Sequence, residues 1–110
     1  MIDSRTCDPA ELDLLCRAIV SIESPEECMN FLEDVMTIKE IRDISQRLHV
    51  AQLLREGRPY SQIKEETSIS SATISRVSKC YNYGSDGYRT VLDKILPPAE
   101  PAAREKEEGK

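Results

Sequence analysis

The sequence predicts an all-α protein of about six helices. Helix-start signals recur along the chain, and the apolar residues behind them recur three and four positions apart. No stretch alternates apolar and polar residues with the two-residue period of a strand. At 110 residues the chain is long enough for one domain, expected over residues 8–96 between a short arm (1–7) and a tail (97–110).

Asp8-Pro9-Ala10-Glu11 supplies a capping acid, Pro at the first helical position and Glu three residues after the cap. Leu12, Leu15, Cys16, Ile19 and Val20 follow as an apolar stripe. Ser24-Pro25-Glu26-Glu27 repeats the device and launches a helix through Met36, with Phe31, Leu32 and Val35 on one side. Thr37-Ile38-Lys39-Glu40 is a third capping box. It opens the longest pattern, Ile38, Ile41, Ile44, Leu48, Ala51 and Leu53 or Leu54, closed by Gly57 and Pro59. A helix of about 18 to 20 residues results. Val50 and Leu53 make it apolar on more than one side, which predicts that a partner subunit covers what the monomer cannot.

Beyond Pro59 the pieces shorten. Ser61 is placed to cap a brief helix to about Glu66, anchored by Ile63. Residues 67–70 form a tight link, and Ser70 or Ser71 caps a helix from Ala72 to about Tyr81 with Ile74 and Val77 inward. Asn82-Tyr83-Gly84 reads as a stop, and Ser85 or Asp86 starts a last helix carrying Tyr88, Val91, Leu92 and Ile95. The tail PPAEPAAREKEEGK has no large apolar residue and is expected to be disordered.

Composition narrows the function. No apolar run approaches the length of a membrane span or a signal peptide, which predicts a cytoplasmic protein. Four scattered cysteines without a CxxC, and a single His, leave no zinc set; the thiols read as buried and reduced. His49 reads as a packing or surface residue, and the four tyrosines as packing for a Trp-free core. With no GxGxxG, no P-loop and no nucleophile–base pair around one His, neither cofactor nor enzyme is expected.

The net charge of −5 is unevenly spread. Residues 1–38 hold two basic against nine acidic residues, residues 39–79 eight against five, and residues 80–110 five against six. A basic middle on an acidic body can aim a positive face at phosphate.

Two short helices joined by a tight turn, the second rich in small hydroxyl residues and Arg, describe a helix-turn-helix. In Ser71-Ala72-Thr73-Ile74-Ser75-Arg76-Val77-Ser78-Lys79, the residues Ser71, Thr73, Ser75, Arg76 and Lys79 are left for solvent or DNA. Small side chains at the helix start allow close approach to base edges, where Ala and Thr methyls touch the thymine methyl. Arg76, Lys79, Lys64, Arg58 and Arg47 are candidates to hold phosphates.

Residues 36–83 resemble the Trp repressor superfamily, and within it the YerC/YecD-like branch. The resemblance is carried by residues 37–52 (TIKEIRDISQRLHVAQ), by Gly57-Arg58-Pro59-Tyr60-Ser61-Gln62-Ile63 and above all by Ser71-Ala72-Thr73-Ile74-Ser75-Arg76. Cys80-Tyr81-Asn82-Tyr83-Gly84 is similar to the same stretch of the YerC/YecD branch. The resemblance implies an intertwined all-α homodimer with two helix-turn-helix heads on successive major grooves of a pseudo-palindromic operator, acting as a repressor. It implies DNA contacts at Gln62, Lys64, Ser71, Ala72, Thr73, Ser75, Ser78 and Lys79, to which the residue pattern adds Arg76. Thr37, Arg47 and Arg76 match a threonine and two arginines that hold the tryptophan corepressor in the family's namesake, but Val77 stands where the indole needs a glycine and Cys80 where a serine helps hold the amino group. A β-branched side chain cannot easily swing out of that slot, which speaks against tryptophan and leaves open a vestigial pocket or another small effector.

Two other readings stay open at this point: an acidic helical dimer using its basic middle against another protein, and a regulator whose DNA binding needs an unidentified small molecule.

Overall fold

The computed structural model describes residue 2 and residues 5–98; the tail expected to be disordered therefore lies, from residue 99 onward, outside the described residues, as does much of the arm. Six helices and no strand appear among the described residues. They divide between two compact units, residues 1–38 and residues 39–110.

The N-terminal unit holds α1 (Pro9–Val20) and α2 (Pro25–Val35). Both start as the capping signals predict. The Asp8 carboxylate accepts from the Glu11 amide at 3.1 Å, and the Ser24 hydroxyl accepts from the Glu27 amide at 3.1 Å. The Glu27 carboxylate reaches back one residue further than a standard box and accepts from the Glu23 amide at 2.9 Å. α1 closes with the Ser21 hydroxyl donating to the Ala18 carbonyl at 2.7 Å. Neither helix buries a residue.

Helix α3 (Ile38–Arg55) begins at the last residue of that unit and runs on as the first helix of the C-terminal one. Its 18 residues match the expected length. Gly57 ends it: at φ 89° it takes the left-handed conformation, and the Arg58 and Gly57 amides donate to the Leu53 and Leu54 carbonyls, a Schellman closure. The expected apolar stripe is only partly used. Val50, Ala51 and Leu53 are buried, whereas Ile38, Ile44 and Leu48 stay exposed.

α4 (Tyr60–Glu66), α5 (Ser71–Tyr83) and α6 (Gly87–Ile95) complete the C-terminal unit. Its core joins Val50, Ala51 and Leu53 to Ile63 of α4, Ile69 of the link, Ile74, Val77 and Tyr81 of α5, and Leu92 of α6. Full burial of each Val, Leu or Ile side chain in this core contributes about 1.5–3 kcal/mol by leaving water.

Several expectations are corrected. Ser61 is not the cap of α4: cap and helix start both lie two residues earlier, at Pro59 and Tyr60, and the φ of −74° at Pro59 already suits a helix entry. Asn82-Tyr83 does not stop α5, which continues to Tyr83. Tyr81 is packed in the core, and the Asn82 amide donates to the Ser78 hydroxyl at 3.5 Å. The stop is Gly84, where a Cβ would sit 2.4 Å from the Cys80 carbonyl oxygen. Of the tyrosines, Tyr81 is buried and Tyr88 packs on the core, but Tyr60 and Tyr83 are exposed. The four thiols are free, and none is buried: Cys7, Cys16 and Cys80 are exposed and Cys28 half-buried.

Candidate nucleic-acid interface

The short pair α4 and α5, joined by residues 67–70, gives the helix-turn-helix its shape. Ile63, Ile69 and Ile74 pack the two helices and their link against one core. Thr67 fixes the turn: its hydroxyl donates to the Ile63 carbonyl at 2.9 Å and accepts from the Ile69 amide at 3.3 Å. Ser70 then caps α5 through the Thr73 amide at 3.2 Å, and its hydroxyl donates to the Thr73 hydroxyl at 3.0 Å. One orphan amide is thereby satisfied, and the Thr73 side chain is oriented from the cap.

α5 divides cleanly. Ile74, Val77 and Tyr81 are buried at i, i+3 and i+7. Ser71, Ala72, Ser75, Arg76 and Lys79 are exposed together on the opposite face, with Thr73 and Ser78 half-buried at its margins. Gln62 and Lys64 are exposed on α4. Gln62 is already engaged, its amide donating to Glu66 at 2.8 Å. Arg58 pairs with Glu66 and, at 3.3 Å, with Glu56, so it braces the end of α3 against α4. The Gln62 hydrogen bond first, and then the Arg58 charge, hold the Glu66 carboxyl below the ordinary carboxylate value of 4.5.

The residues matched to an effector pocket are placed in three ways. Val77 is 1% exposed and belongs to the core, so its isopropyl group faces the interior. Arg47, Arg76 and Cys80 all act electrostatically on Tyr88, whose phenol is raised above its usual value chiefly by burial and then by Cys80, and lowered by the two arginines. Thr37 belongs to the N-terminal unit. Local spacing marks Tyr88 as an apolar member of α6 and carries no signature of the influence of Arg47 and Arg76 on its phenol.

Among the described residues no group of three or more His, Cys, Asp or Glu can hold a metal ion, and no helix is long and apolar enough to cross a membrane.

The Trp repressor protein family model matches residues 10–96. The chain is 51% identical over 85 residues to the uncharacterized protein YerC of Bacillus subtilis (strain 168), covering 77% of this chain and 82% of that one. It is similar to the crystal structure of a candidate Trp repressor from Staphylococcus aureus, with a TM-score of 0.78 and 39% identity over 86% of this chain and 95% of the other. A TrpR-like protein from Eubacterium eligens ATCC 27750 gives a TM-score of 0.76 and 43% identity, over 84% of this chain and 96% of the other.

Proposed function

This chain belongs to the Trp repressor family, a family of helix-turn-helix regulators rather than of enzymes, and from that premise we propose that it represses transcription by binding a pseudo-palindromic operator as a homodimer in the cytoplasm. The observation that carries this is the two-sided α5: Ile74, Val77 and Tyr81 anchor it in the core while Ser71, Ala72, Ser75, Arg76 and Lys79 face outward. Small hydroxyl and methyl groups at the start of a helix suit base edges. Arg76 and Lys79, one to two turns on, suit phosphate. Lys64 and Ser78 extend the backbone contacts, Thr73 contributes from the margin, and Gln62 joins only if it leaves Glu66.

Dimerisation is supported by exposed apolar surface among the described residues. Leu14, Leu15, Ile19, Val20, Met29 and Val35 are exposed on α1 and α2, and Ile38, Ile44 and Leu48 on α3. A second copy covering these faces places two α5 helices about one helical turn of DNA apart.

Tryptophan is not the corepressor in this reading. Val77 fills the core-facing side of α5, and the half-buried Tyr88 is close enough to Arg47 and Arg76 to feel both charges.

Selection of genomic fragments by the purified protein at near-physiological salt is the direct test. One enriched two-fold symmetric motif is expected. Arg76→Ala or Lys79→Ala should then weaken binding to all sequences and reduce the salt slope by roughly 1. Thr73→Val should instead change base preference by about 1–3 kcal/mol at the affected pair. Failure to retain DNA even at low salt overturns the reading in favour of a protein-interaction module.

A further inference from the structure

A second cluster of basic groups lies where the last residues of α3 and α5 meet α6. Leu54, Arg55, Tyr81, Asn82, Arg89 and Asp93 line a cavity of about 590 Å³ there, within the size range of small-molecule sites. Both arginines are fixed by the chain. The Arg55 side chain, 11% exposed, gives its Nε to Asp93 at 2.9 Å. Arg89 gives its Nε to the Tyr81 carbonyl at 3.0 Å and its Nη2 to Asn82 at 3.4 Å, with its guanidinium 4.1 Å from the centre of the Tyr81 ring.

These contacts use one edge of each guanidinium. Both terminal nitrogens of Arg55 and Nη1 of Arg89 make no hydrogen bond among the described residues. A guanidinium cannot shed its charge, so donors on a lined cavity call for acceptors. Two arginines against one aspartate leave the lining net positive, and the surface it offers is mostly polar. We propose that this cavity binds a small anion through a carboxylate or phosphoryl group held by Arg55 and Arg89. Asp93 competes with the ligand for Arg55 and sets its affinity. Because Arg89 also bonds the carbonyl of Tyr81 in α5, occupancy changes the support of that helix and with it DNA affinity; this coupling rests on the DNA-binding reading, whereas ligand binding does not.

The test follows arginine Nε–H resonances of the full chain, at constant ionic strength, during titration with benzoate, phenyl phosphate or inorganic phosphate. Saturable shifts at Arg55 and Arg89 are expected with benzoate, phenyl phosphate or inorganic phosphate. Arg89→Gln should weaken binding by roughly tenfold or more, the loss of a charge-assisted contact, and Asp93→Asn should tighten it. A purely structural ion pair predicts no saturation in either wild type or Asp93→Asn, and that result, or unchanged affinity in Arg89→Gln, overturns the site. An anion that saturates the site but leaves operator affinity unchanged overturns the coupling alone.

Discussion

Helices α1 and α2 have the clearest start signals in the chain, Asp8-Pro9 and Ser24-Pro25, with both caps formed, yet neither buries a residue. α4 is shorter, starts behind a proline with no side-chain cap, and still sets Ile63 wholly inside a core shared with α3, α5 and α6. Capping decides where a helix begins and contributes about 1 kcal/mol. Burial decides whether the helix is held. On the dimer reading the N-terminal helices therefore depend on surface from a second copy, whereas the C-terminal unit has a core of its own.

The largest effect tests that dependence. In a two-fold dimer a substitution acts twice, so Ile19→Asp, placing an unpaired charge in a covered apolar face, should cost about 3 kcal/mol per subunit and about 6 per dimer. Sedimentation equilibrium should show monomer at concentrations where the wild type is dimeric. If α1 is simply solvated, as Ile19 at 53% exposure is in the single chain, the change stays within about 0.5 kcal/mol and leaves the mass unchanged. The comparison between the units then fails.

Val77→Gly probes the other side. Removing a fully buried isopropyl group and placing Gly inside α5 should cost about 3 kcal/mol in thermal or denaturant unfolding. Calorimetry with tryptophan should show no gain, since the space opened lies in the core. Tryptophan binding by this variant would show that Val77 had been blocking a pocket after all.

The caps give a smaller, matched pair. Ser24→Ala and Ser70→Ala each remove one cap hydrogen bond and should each cost about 1 kcal/mol. Ser70 additionally orients Thr73, so only Ser70→Ala should also alter DNA sequence preference. Equal effects of both on preference would detach Thr73 from the cap.

The helices were legible because their starts are written in adjacent residues: Asp8, Ser24 and Ser70 cap as read. The exposed face of α5 followed from a spacing of three and four. Legibility failed where the deciding partner was distant or where backbone alone decided. Pro59, not Ser61, starts α4. Val50, Ala51 and Leu53 were chosen from a longer apolar pattern by what α4, α5 and α6 offer. Arg55 and Asp93, 38 residues apart, meet at a cavity no local pattern announces. Cys16, on the predicted stripe of α1, is exposed, since that helix buries none of its residues.

The smallest effect concerns Glu66 and decides how Gln62 belongs to the interface. Its folded pKa is lowered from 4.5, by the Gln62 hydrogen bond before the Arg58 charge. The native state therefore binds this proton less readily than the unfolded chain. The resulting stabilisation is present above 4.5 and disappears as pH falls through the lower folded value. Glu66 is solvent-screened, so the acid limb of stability should flatten only slightly in Glu66→Gln. A site-resolved titration is sharper: the Glu66 midpoint should lie below 4.5 and rise toward it in Gln62→Leu. A wild-type midpoint already at the ordinary value would mean that Gln62 is not held by Glu66 in solution. Its amide would then reach DNA with no internal bond to break, and Gln62→Leu would weaken operator binding without moving Glu66.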